Sequence, residues 1–181
     1  MRVIGGRARG TKLKSPSTEE TVPITDRAKE ALFNIITPKI YDCNFLDLFA
    51  GTGGVGIEAL SRGANSATFI EISKAIFGDL TWNIERTRFK DKSTILNYDA
   101  FKFLQEDKHK YDIIFVAPPQ WKNMCQEAMD TLCKNLRILA EDGIVITQHD
   151  PTEPVKVNPN LLTEYDKRVY GGVQFNFFKR T

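Results

Sequence analysis

Residues 45–56 read FLDLFAGTGGVG and carry the strongest structural signal in this 181-residue chain. A short apolar run ends in a turn that holds four glycines, and a helical pattern follows it. Such an order is typical of a buried strand that leads through a tight turn into a helix. The glycines also satisfy the pattern GxGxxG, which lets a nucleotide ligand approach the backbone closely. The stretch therefore predicts a strand, a ligand-binding turn and a helix.

The same alternation of strands and helices extends in both directions from this stretch. Strands are predicted at residues 45–49, 67–71, 94–96, 111–116 and 143–147, and helices at 25–38, 55–62, 73–86, 100–105 and 124–136. Residues 161–169 and 173–178 flank Tyr170-Gly171-Gly172 and predict an antiparallel hairpin. Alternating strands and helices form a doubly wound α/β fold, in which ligands bind beyond the carboxyl ends of the strands. The site is therefore expected near residues 47–56, 71–73, 99–100 and 117–121.

Composition limits the class of protein. Hydrophobic residues make up 41% and charged residues 27%, as in a soluble globular protein. No apolar run reaches the roughly 20 residues that cross a bilayer, and the first residues do not resemble a secretory signal, so a cytoplasmic protein is expected. The cysteines are predicted to be small buried or partly buried thiols, and His109 and His149 to be ordinary surface or loop residues. No metal site is predicted.

Positive charge is concentrated at the amino terminus. Five basic residues precede the first acid, Glu19: Arg2, Arg7, Arg9, Lys12 and Lys14. Such a segment could bind the phosphates of a polyanion, or it could be a solvated basic tail. Interspersed glycines favour a hairpin over a helix. We expect a single domain over residues 1–181, with a basic extension over 1–24 and a catalytic core over 25–181.

The glycine turn has two interpretations. Glu71 lies 20 residues after Gly51, the spacing expected of a nicotinamide-dependent oxidoreductase whose acid accepts ribose hydroxyls. Asp47, however, is a charged residue just before the turn, where a pyrophosphate would have to approach. A carboxylate there suits a positively charged ligand such as S-adenosylmethionine, and it can also orient the loop amides.

Three stretches resemble the RsmD family of bacterial methyltransferases, which modify the exocyclic N2 amine of a guanine in small-subunit (16S) ribosomal RNA. Residues 47–64 closely resemble the first motif of that family, residues 25–34 its amino-terminal helix and residues 1–13 its opening basic hairpin. The resemblance implies a Rossmann-like S-adenosylmethionine methyltransferase fold with a mostly parallel seven-stranded sheet. It implies S-adenosylmethionine as cofactor and ribosomal RNA, within a 30S subunit or assembly intermediate, as partner. We expect a monomer that requires neither a membrane nor a metal.

The resemblance also assigns residues to roles. The cofactor's methionine part would lie against the loop residues Asp47, Phe49, Ala50, Gly51, Thr52 and Gly53. Glu71 would accept hydrogen bonds from the ribose hydroxyls, and Ile72 would pack on the adenine. Asp99 and Ala100 would lie at the adenine amino edge, although Asp99 can also cap the following helix. The five basic residues of the amino terminus would bind RNA.

The predicted catalytic turn departs from the family pattern of Asp or Asn, Pro-Pro and an aromatic residue. This chain reads Ala117-Pro118-Pro119-Gln120-Trp121, so position 117 has no side-chain acceptor for the amine. In one interpretation the site is a working variant, in which backbone carbonyls and Gln120 accept the amine hydrogens and Trp121 stacks on the base. In the other, the chain binds cofactor or RNA with little activity. The retained cofactor loop favours the first.

A second departure is Val22-Pro23-Ile24, where the family usually has Arg-Pro-Thr, and weaker binding is expected from it. The sequence therefore predicts an RNA guanine-N2 methyltransferase. Three alternatives stay open: a methyltransferase for DNA, protein or small molecules, a non-catalytic RNA-binding protein, and a nicotinamide-dependent oxidoreductase. The last would leave the Pro-Pro turn and the basic hairpin unexplained.

Overall fold

The computed structural model describes residues 1–16, 24–120 and 122–181. Their centre is a seven-stranded sheet with the order β3-β2-β1-β4-β5-β7-β6. The strands are β1 (Asn44–Asp47), β2 (Ser66–Ile70), β3 (Ser93–Leu96), β4 (Tyr111–Val116), β5 (Leu139–His149), β6 (Leu162–Tyr170) and β7 (Val173–Arg180). The mostly parallel seven-stranded sheet that the sequence predicts is thereby confirmed.

The first five strands are parallel, and β6 runs in the same direction, so β7 alone is reversed. β7 pairs antiparallel with both β5 and β6. The closing hairpin therefore places β7 between β5 and β6, whereas the dinucleotide-binding order 3-2-1-4-5-6 has no such inserted strand. This topology separates the chain from the nicotinamide-dependent oxidoreductases, although both share a glycine-rich turn after β1.

Five α-helices cover the two faces of the sheet: α1 (Asp26–Ile40), α2 (Gly54–Ser61), α3 (Lys74–Thr87), α4 (Ala100–Glu106) and α5 (Met124–Lys134). The first three helices share one apolar core with the sheet, and α4 and α5 share a second core on the opposite face. Alternate strand residues serve the two cores: Phe45 and Phe115 face the first, while Leu46 and Ile114 face the second. No helix in the described ranges is long and apolar enough to span a membrane.

The amino-terminal segment forms a small hairpin against α2. Arg2 and Lys12 are bridged antiparallel, which confirms the turned segment that the glycines predict. The buried carboxylate of Glu58, on α2, accepts hydrogen bonds from the backbone N–H groups of Ile4 and Gly5 at 2.9 and 2.8 Å. Two cations pair with this carboxylate: Arg62 at 2.8 Å, and Lys29, which is fully buried, at 3.4 Å. The hairpin is therefore anchored to α2 through the buried Glu58 carboxylate.

Two local expectations need correction. The first helix does not end at Pro38 but continues to Ile40, because a proline in the last turn removes only one intrahelical hydrogen bond there. His149 is not a surface or loop residue. It ends β5 with 1% of its surface exposed, and its Nε2 lies 3.0 Å from the Asn176 Oδ1 on β7. An isolated histidine in sequence gave no sign of this cross-strand partner.

Candidate active site

The candidate site lies at the carboxyl edge of the parallel strands, where the glycine turn joins β1 to α2. Gly51 and Gly53 have φ angles of 55° and 83°, in the left-handed region that favours glycine. Gly56 lies in the first turn of α2, where a Cβ atom would come within 2.3 Å of the Phe69 ring. The glycines thus turn the chain sharply and let α2 pack directly on β2.

Asp47 is buried immediately before this turn, with 2% of its surface exposed. Its Oδ2 accepts a hydrogen bond from the Gly56 N–H at 2.9 Å, so the carboxyl group ties the strand end to the first turn of α2. Burial, opposed by that one hydrogen bond and helped by the nearby Glu71 carboxylate, raises the pKa of Asp47 to about 7. A cationic ligand beside Asp47 would favour its ionised form.

Glu71 follows β2, and its carboxylate accepts hydrogen bonds from two backbone segments. Its Oε2 accepts from the Gly51 N–H at 2.9 Å, and its Oε1 accepts from the Ser73 N–H at 2.7 Å. Burial raises the pKa of Glu71, while these backbone donors oppose that shift. Each carboxylate oxygen can accept a further hydrogen bond, so the side chain can also serve a ligand hydroxyl.

Two adjoining cavities open beside these carboxyl groups, of about 180 and 100 Å³. We call the larger one, beside Glu71, the β2-side cavity, and the smaller one, beside Asp47, the β1-side cavity. Phe49, Gly51 and Ala117 line both, so the cavities meet at the glycine turn and the start of the predicted catalytic turn. Together they form an elongated cleft along the carboxyl ends of β2, β1 and β4.

The cleft gathers nearly all the residues that the sequence assigns to the cofactor. The β2-side cavity is lined by Glu71, Ile72, Asp99 and Ala100. The β1-side cavity is lined by Asp47, Ala50 and Thr52. Gly53 is not among the lining residues in the described part of the chain and serves instead as the left-handed cap of α2. The four assigned residues of the β2-side cavity come from two separate segments, the loop after β2 and the start of α4 after β3.

The structure shows the capping role of Asp99, and its role at the adenine edge stays a prediction. Its Oδ1 accepts from the Lys102 N–H at 2.9 Å and caps α4, while the residue also lines the β2-side cavity. Ile72 is 66% exposed at the cavity wall, and Tyr98 is 39% exposed there. Large apolar side chains left this open at a cavity are suited to pack against a flat ring.

The predicted catalytic turn follows β4 directly. Ala117 lines both cavities, Pro119 lines the β2-side cavity, and Pro118 is buried between them. Gln120 is half-buried and is not a lining residue of either cavity within the described ranges. Its role as a replacement acceptor stays a prediction. Trp121 lies outside the described residues, as do Val22 and Pro23.

The basic residues of the amino terminus do not all face solvent in the same way. Arg2 pairs with Asp26 at 2.8 Å, and Lys14 pairs with Asp79 at 3.2 Å. Arg7 lies over the Phe89 ring, 4.9 Å from its centre. For the other two residues, Arg9 and Lys12, no ion pair forms with any described residue. Of the five basic side chains, these two make neither an ion pair nor a cation–π contact with a described residue.

Five residues that line the β1-side cavity lie outside the stretches that the sequence predicts for the site: Met1, Pro16, Ile24, Phe115 and Gln148. Met1 reaches the site because its hairpin is anchored on α2, a contact between distant parts of the chain. Gln148 follows the apolar run of β5 and lies on the same face of the strand as Ile144 and Ile146. The sequence predicts the site at the carboxyl ends of the first four strands, and the same rule applied to the fifth strand would have included Gln148. Ile24, at the second departure from the family pattern, also lines this cavity.

Within the described ranges, no three His, Cys, Asp or Glu side chains come together as metal ligands would. The three cysteines are free, with Cys43 and Cys125 buried and Cys133 partly buried, which confirms their expected role as thiols in the packed interior.

Comparison with known proteins agrees with this geometry. The family model described as conserved hypothetical protein 95 matches residues 1–179. The ribosomal RNA small subunit methyltransferase D of Escherichia coli is 33% identical over 180 residues, which cover 99% of this chain and 90% of that protein. The solved structure of the E. coli protein yhhF superposes with a TM-score of 0.88 at 33% identity, over 99% of this chain and 97% of that chain.

A more distant solved structure extends the likeness of fold. The protein SMU.776, complexed with SAH, has a TM-score of 0.70 at 16% identity, over 87% of this chain and 50% of that chain. The match of the family model to almost every residue, with the relative that is 33% identical, confirms the resemblance found in the sequence. The chain belongs to the conserved hypothetical protein 95 family, the family of the RsmD methyltransferases.

Proposed function

We propose that this protein transfers a methyl group from S-adenosylmethionine to the exocyclic N2 amine of a guanine in 16S ribosomal RNA. The observation that carries the proposal is the cleft whose two cavities meet at Ala117. A cofactor that spans the cleft would present its reactive centre to the catalytic turn. The name of the E. coli relative, a small-subunit ribosomal RNA methyltransferase, supports this choice of substrate.

The residues of the cleft fit the parts of S-adenosylmethionine. Glu71 offers carboxylate oxygens to ribose hydroxyls, and Ile72 offers an exposed apolar surface to the adenine. Asp47 is a buried carboxyl group with a single hydrogen-bond donor, and its charge would be matched by the cationic methionine end of the cofactor. When bound, the cofactor supplies a methyl carbon that bonds to the amine nitrogen as its bond to sulfur breaks, with the electron pair left on sulfur and the amine proton passing to water.

The catalytic turn would act by positioning. The lone pair of an exocyclic base amine is delocalised into the ring, so the amine reacts only when its hydrogens are held by acceptors in a fixed geometry. Backbone carbonyls of Ala117 and Pro118, at the end of β4, would serve as such acceptors beside the β1-side cavity. The base itself would leave its stack to reach this edge of the sheet.

The RNA would be held outside the cleft by the amino-terminal hairpin. Arg2, Lys12 and Lys14 lie along its two strands, and Met1 at its beginning reaches the β1-side cavity. Phosphates bound along the hairpin would therefore lead towards the catalytic turn. We include in the proposal a 30S subunit or assembly intermediate as the substrate and a monomeric enzyme.

The decisive experiment measures transfer of a radiolabelled methyl group from S-adenosylmethionine by the purified full-length protein. Four acceptors are compared at equal concentration: 30S subunits, naked 16S RNA, free ribosomal protein and DNA. We expect label in RNA with 30S subunits, and digestion to nucleosides should place it in N2-methylguanosine.

The alternatives give different results in the same experiment. Label in protein or DNA would identify another class of methyltransferase. Binding of RNA and cofactor without any transfer would identify a catalytically weakened RNA-binding homologue. Calorimetric titration with S-adenosylmethionine and with NADH tests the cofactor separately, and binding of NADH alone would overturn the assignment of the cleft.

A further inference from the structure

Gln148 lines the β1-side cavity and carries a buried acceptor without a partner among the described residues. Its Oε1 is shielded from solvent and accepts no hydrogen bond from any described residue. A buried polar atom of this kind carries a desolvation cost that structures normally avoid, and it calls for a specific explanation. The side chain lines the same cavity as Asp47 and Ala117, so a donor on a ligand bound there could satisfy the oxygen once the amide group turns towards the cavity.

The register of the sheet places Gln148 beside the residue that departs from the family pattern. Val116 on β4 pairs with Thr147 on β5, so the next residues along, Ala117 and Gln148, are lateral neighbours. Adjacent strands lie about 4.8 Å apart. Ala117 and Gln148 also share a face of the sheet, because Phe115 and Ile146, two residues earlier on each strand, both face the first core.

We infer that Gln148 is a catalytic residue whose side-chain carbonyl accepts a hydrogen from the substrate amine, supplying from β5 the acceptor that Ala117 lacks on β4. This inference rests on the proposed function. It gives to Gln148 the replacement role that the sequence suggested for Gln120. The amide is not a base, so it orients the amine while the proton released in the transfer passes to water.

The substrate amine is a better match for this acceptor than the cofactor is. On the same face of the sheet Asp47 ends β1, and its carboxyl group lies directly at the glycine turn that would hold the cationic methionine end. Gln148 lies two strands away, past β4, on the far side of Ala117. A neutral carbonyl at that position suits a neutral amine.

The test compares single-turnover methyl transfer to 30S subunits with binding of S-adenosylhomocysteine by calorimetry. In Gln148→Met the side chain keeps its length but loses its amide carbonyl. We expect the rate to fall about 10- to 100-fold, as for the loss of one positioned hydrogen bond in a transition state, while the Kd changes less than about threefold. Gln148→Ala should show the same result, a lower rate with a nearly unchanged Kd. It serves as the second variant if thermal unfolding shows that Gln148→Met does not fold cooperatively.

The neighbouring strand position provides a rescue. Adding Ala117→Asn to Gln148→Met returns an acceptor at the end of β4. We expect the double variant to react about tenfold faster than Gln148→Met alone. Thr147→Val is the matched control, because its Oγ1 is also buried without a partner among the described residues but the residue is not a lining residue of either cavity. Its rate should equal that of the wild type.

Several results would overturn the inference. The role of Gln148 fails if the Gln148→Met rate stays within about threefold of wild type, if the Kd weakens by the same factor as the rate, or if Ala117→Asn restores nothing. These failures leave methyl transfer by the wild-type protein intact. If the wild-type protein transfers no methyl group to RNA, the proposed function fails first, and the inference fails with it.

Discussion

Glu71 holds the backbone of Gly51 through a hydrogen bond of 2.9 Å from the Gly51 N–H to Oε2, and so fixes the glycine turn from the neighbouring strand. Its second oxygen holds Ser73 at the start of α3. One carboxylate therefore shapes both walls of the β2-side cavity before any ligand binds. In the proposed function the same oxygens would accept hydrogen bonds from the ribose hydroxyls, so one side chain would serve both the turn and the cofactor.

Replacing Glu71 by Gln should weaken cofactor binding, because one of the two oxygens that would accept the ribose hydroxyl hydrogens is lost. The amide keeps one acceptor, but its NH2 group faces the Gly51 or Ser73 N–H. Loss of one hydrogen bond to a charged group costs about 1.5–3 kcal/mol, equivalent to a Kd raised roughly 10- to 100-fold. Calorimetry with S-adenosylmethionine measures it, with the exposed Glu85→Gln on α3 as control. An unchanged Kd would remove Glu71 from the cofactor site.

Asp47 should make protein stability depend on pH. Its pKa is 3.8 in the unfolded chain and about 7 when buried. Between these values the unfolded state has released the proton that the folded state keeps, so the free energy of unfolding falls as pH rises and levels off above about pH 7. Asp47→Asn keeps an acceptor for the Gly56 N–H, and because the amide does not ionise, it removes the fall in the free energy of unfolding with pH. Urea unfolding without cofactor should show the variant more stable than wild type at about pH 8, and the difference shrinking towards about pH 5.

Cofactor affinity should respond to the same group in the opposite sense. A cationic methionine end favours the ionised Asp47, so wild-type affinity should increase from about pH 6 to about pH 8 and level off above it. In Asp47→Asn the affinity should be weaker and flat over this range. Asp142→Asn, in an exposed position, controls for the loss of one negative charge. A pH dependence that survives in Asp47→Asn would assign it to another group.

Two glycines of the same turn should tolerate alanine very differently. At Gly56 a Cβ would lie 2.3 Å from the Phe69 ring on β2, which cannot move without displacing the strand. At Gly54 the nearest atom is the Met1 Sδ at 2.5 Å, on a flexible side chain. Thermal unfolding should show Gly56→Ala destabilised by about 1–3 kcal/mol, with Gly54→Ala within about 1 kcal/mol of wild type. Equal losses in both variants would contradict this packing.

The local parts of the site could be predicted from sequence because neighbouring residues build them. The glycine turn, with Asp47 just before it, is one continuous stretch, and Glu71 ends the next strand at a spacing set by one helix. Parallel strands bring their carboxyl ends to the same edge, so these residues had to meet once the alternation of strands and helices was recognised.

The features that sequence reasoning missed depend on long-range pairing. Glu58 lies in a helical segment where a charged side chain normally faces solvent, yet it is buried under the backbone of Ile4 and Gly5, which lie in a distant part of the chain. Gln148 becomes a neighbour of Ala117 only through the register of β4 with β5. His149 is buried because β7 returns antiparallel beside β5. None of these partners is visible in local periodicity.

Binding of RNA should depend unequally on the basic residues of the hairpin. Arg2 and Lys14 already pair with acids, and Arg7 lies over the Phe89 ring, whereas Arg9 and Lys12 form no ion pair with described residues. A phosphate that replaces an existing carboxylate partner gains less than one that meets a hydrated cation. Each cation that binds a phosphate releases one counter-ion and steepens the salt dependence of the binding constant.

The double variant Arg9→Ala/Lys12→Ala should therefore bind 16S RNA more weakly at low salt and with a shallower slope. Each phosphate ion pair removed should reduce the slope of log K against log salt by about 0.7 to 0.9, so removal of two reduces it by roughly 1.4 to 1.8. Filter binding between about 50 and 200 mM salt measures the slope. The control is Lys108→Ala/Lys110→Ala, which removes two exposed lysines before β4, at the edge of the sheet opposite the cleft. An equal change of slope in both double variants would mean that RNA binding depends on net charge alone. The hairpin would then not be a specific RNA-binding site.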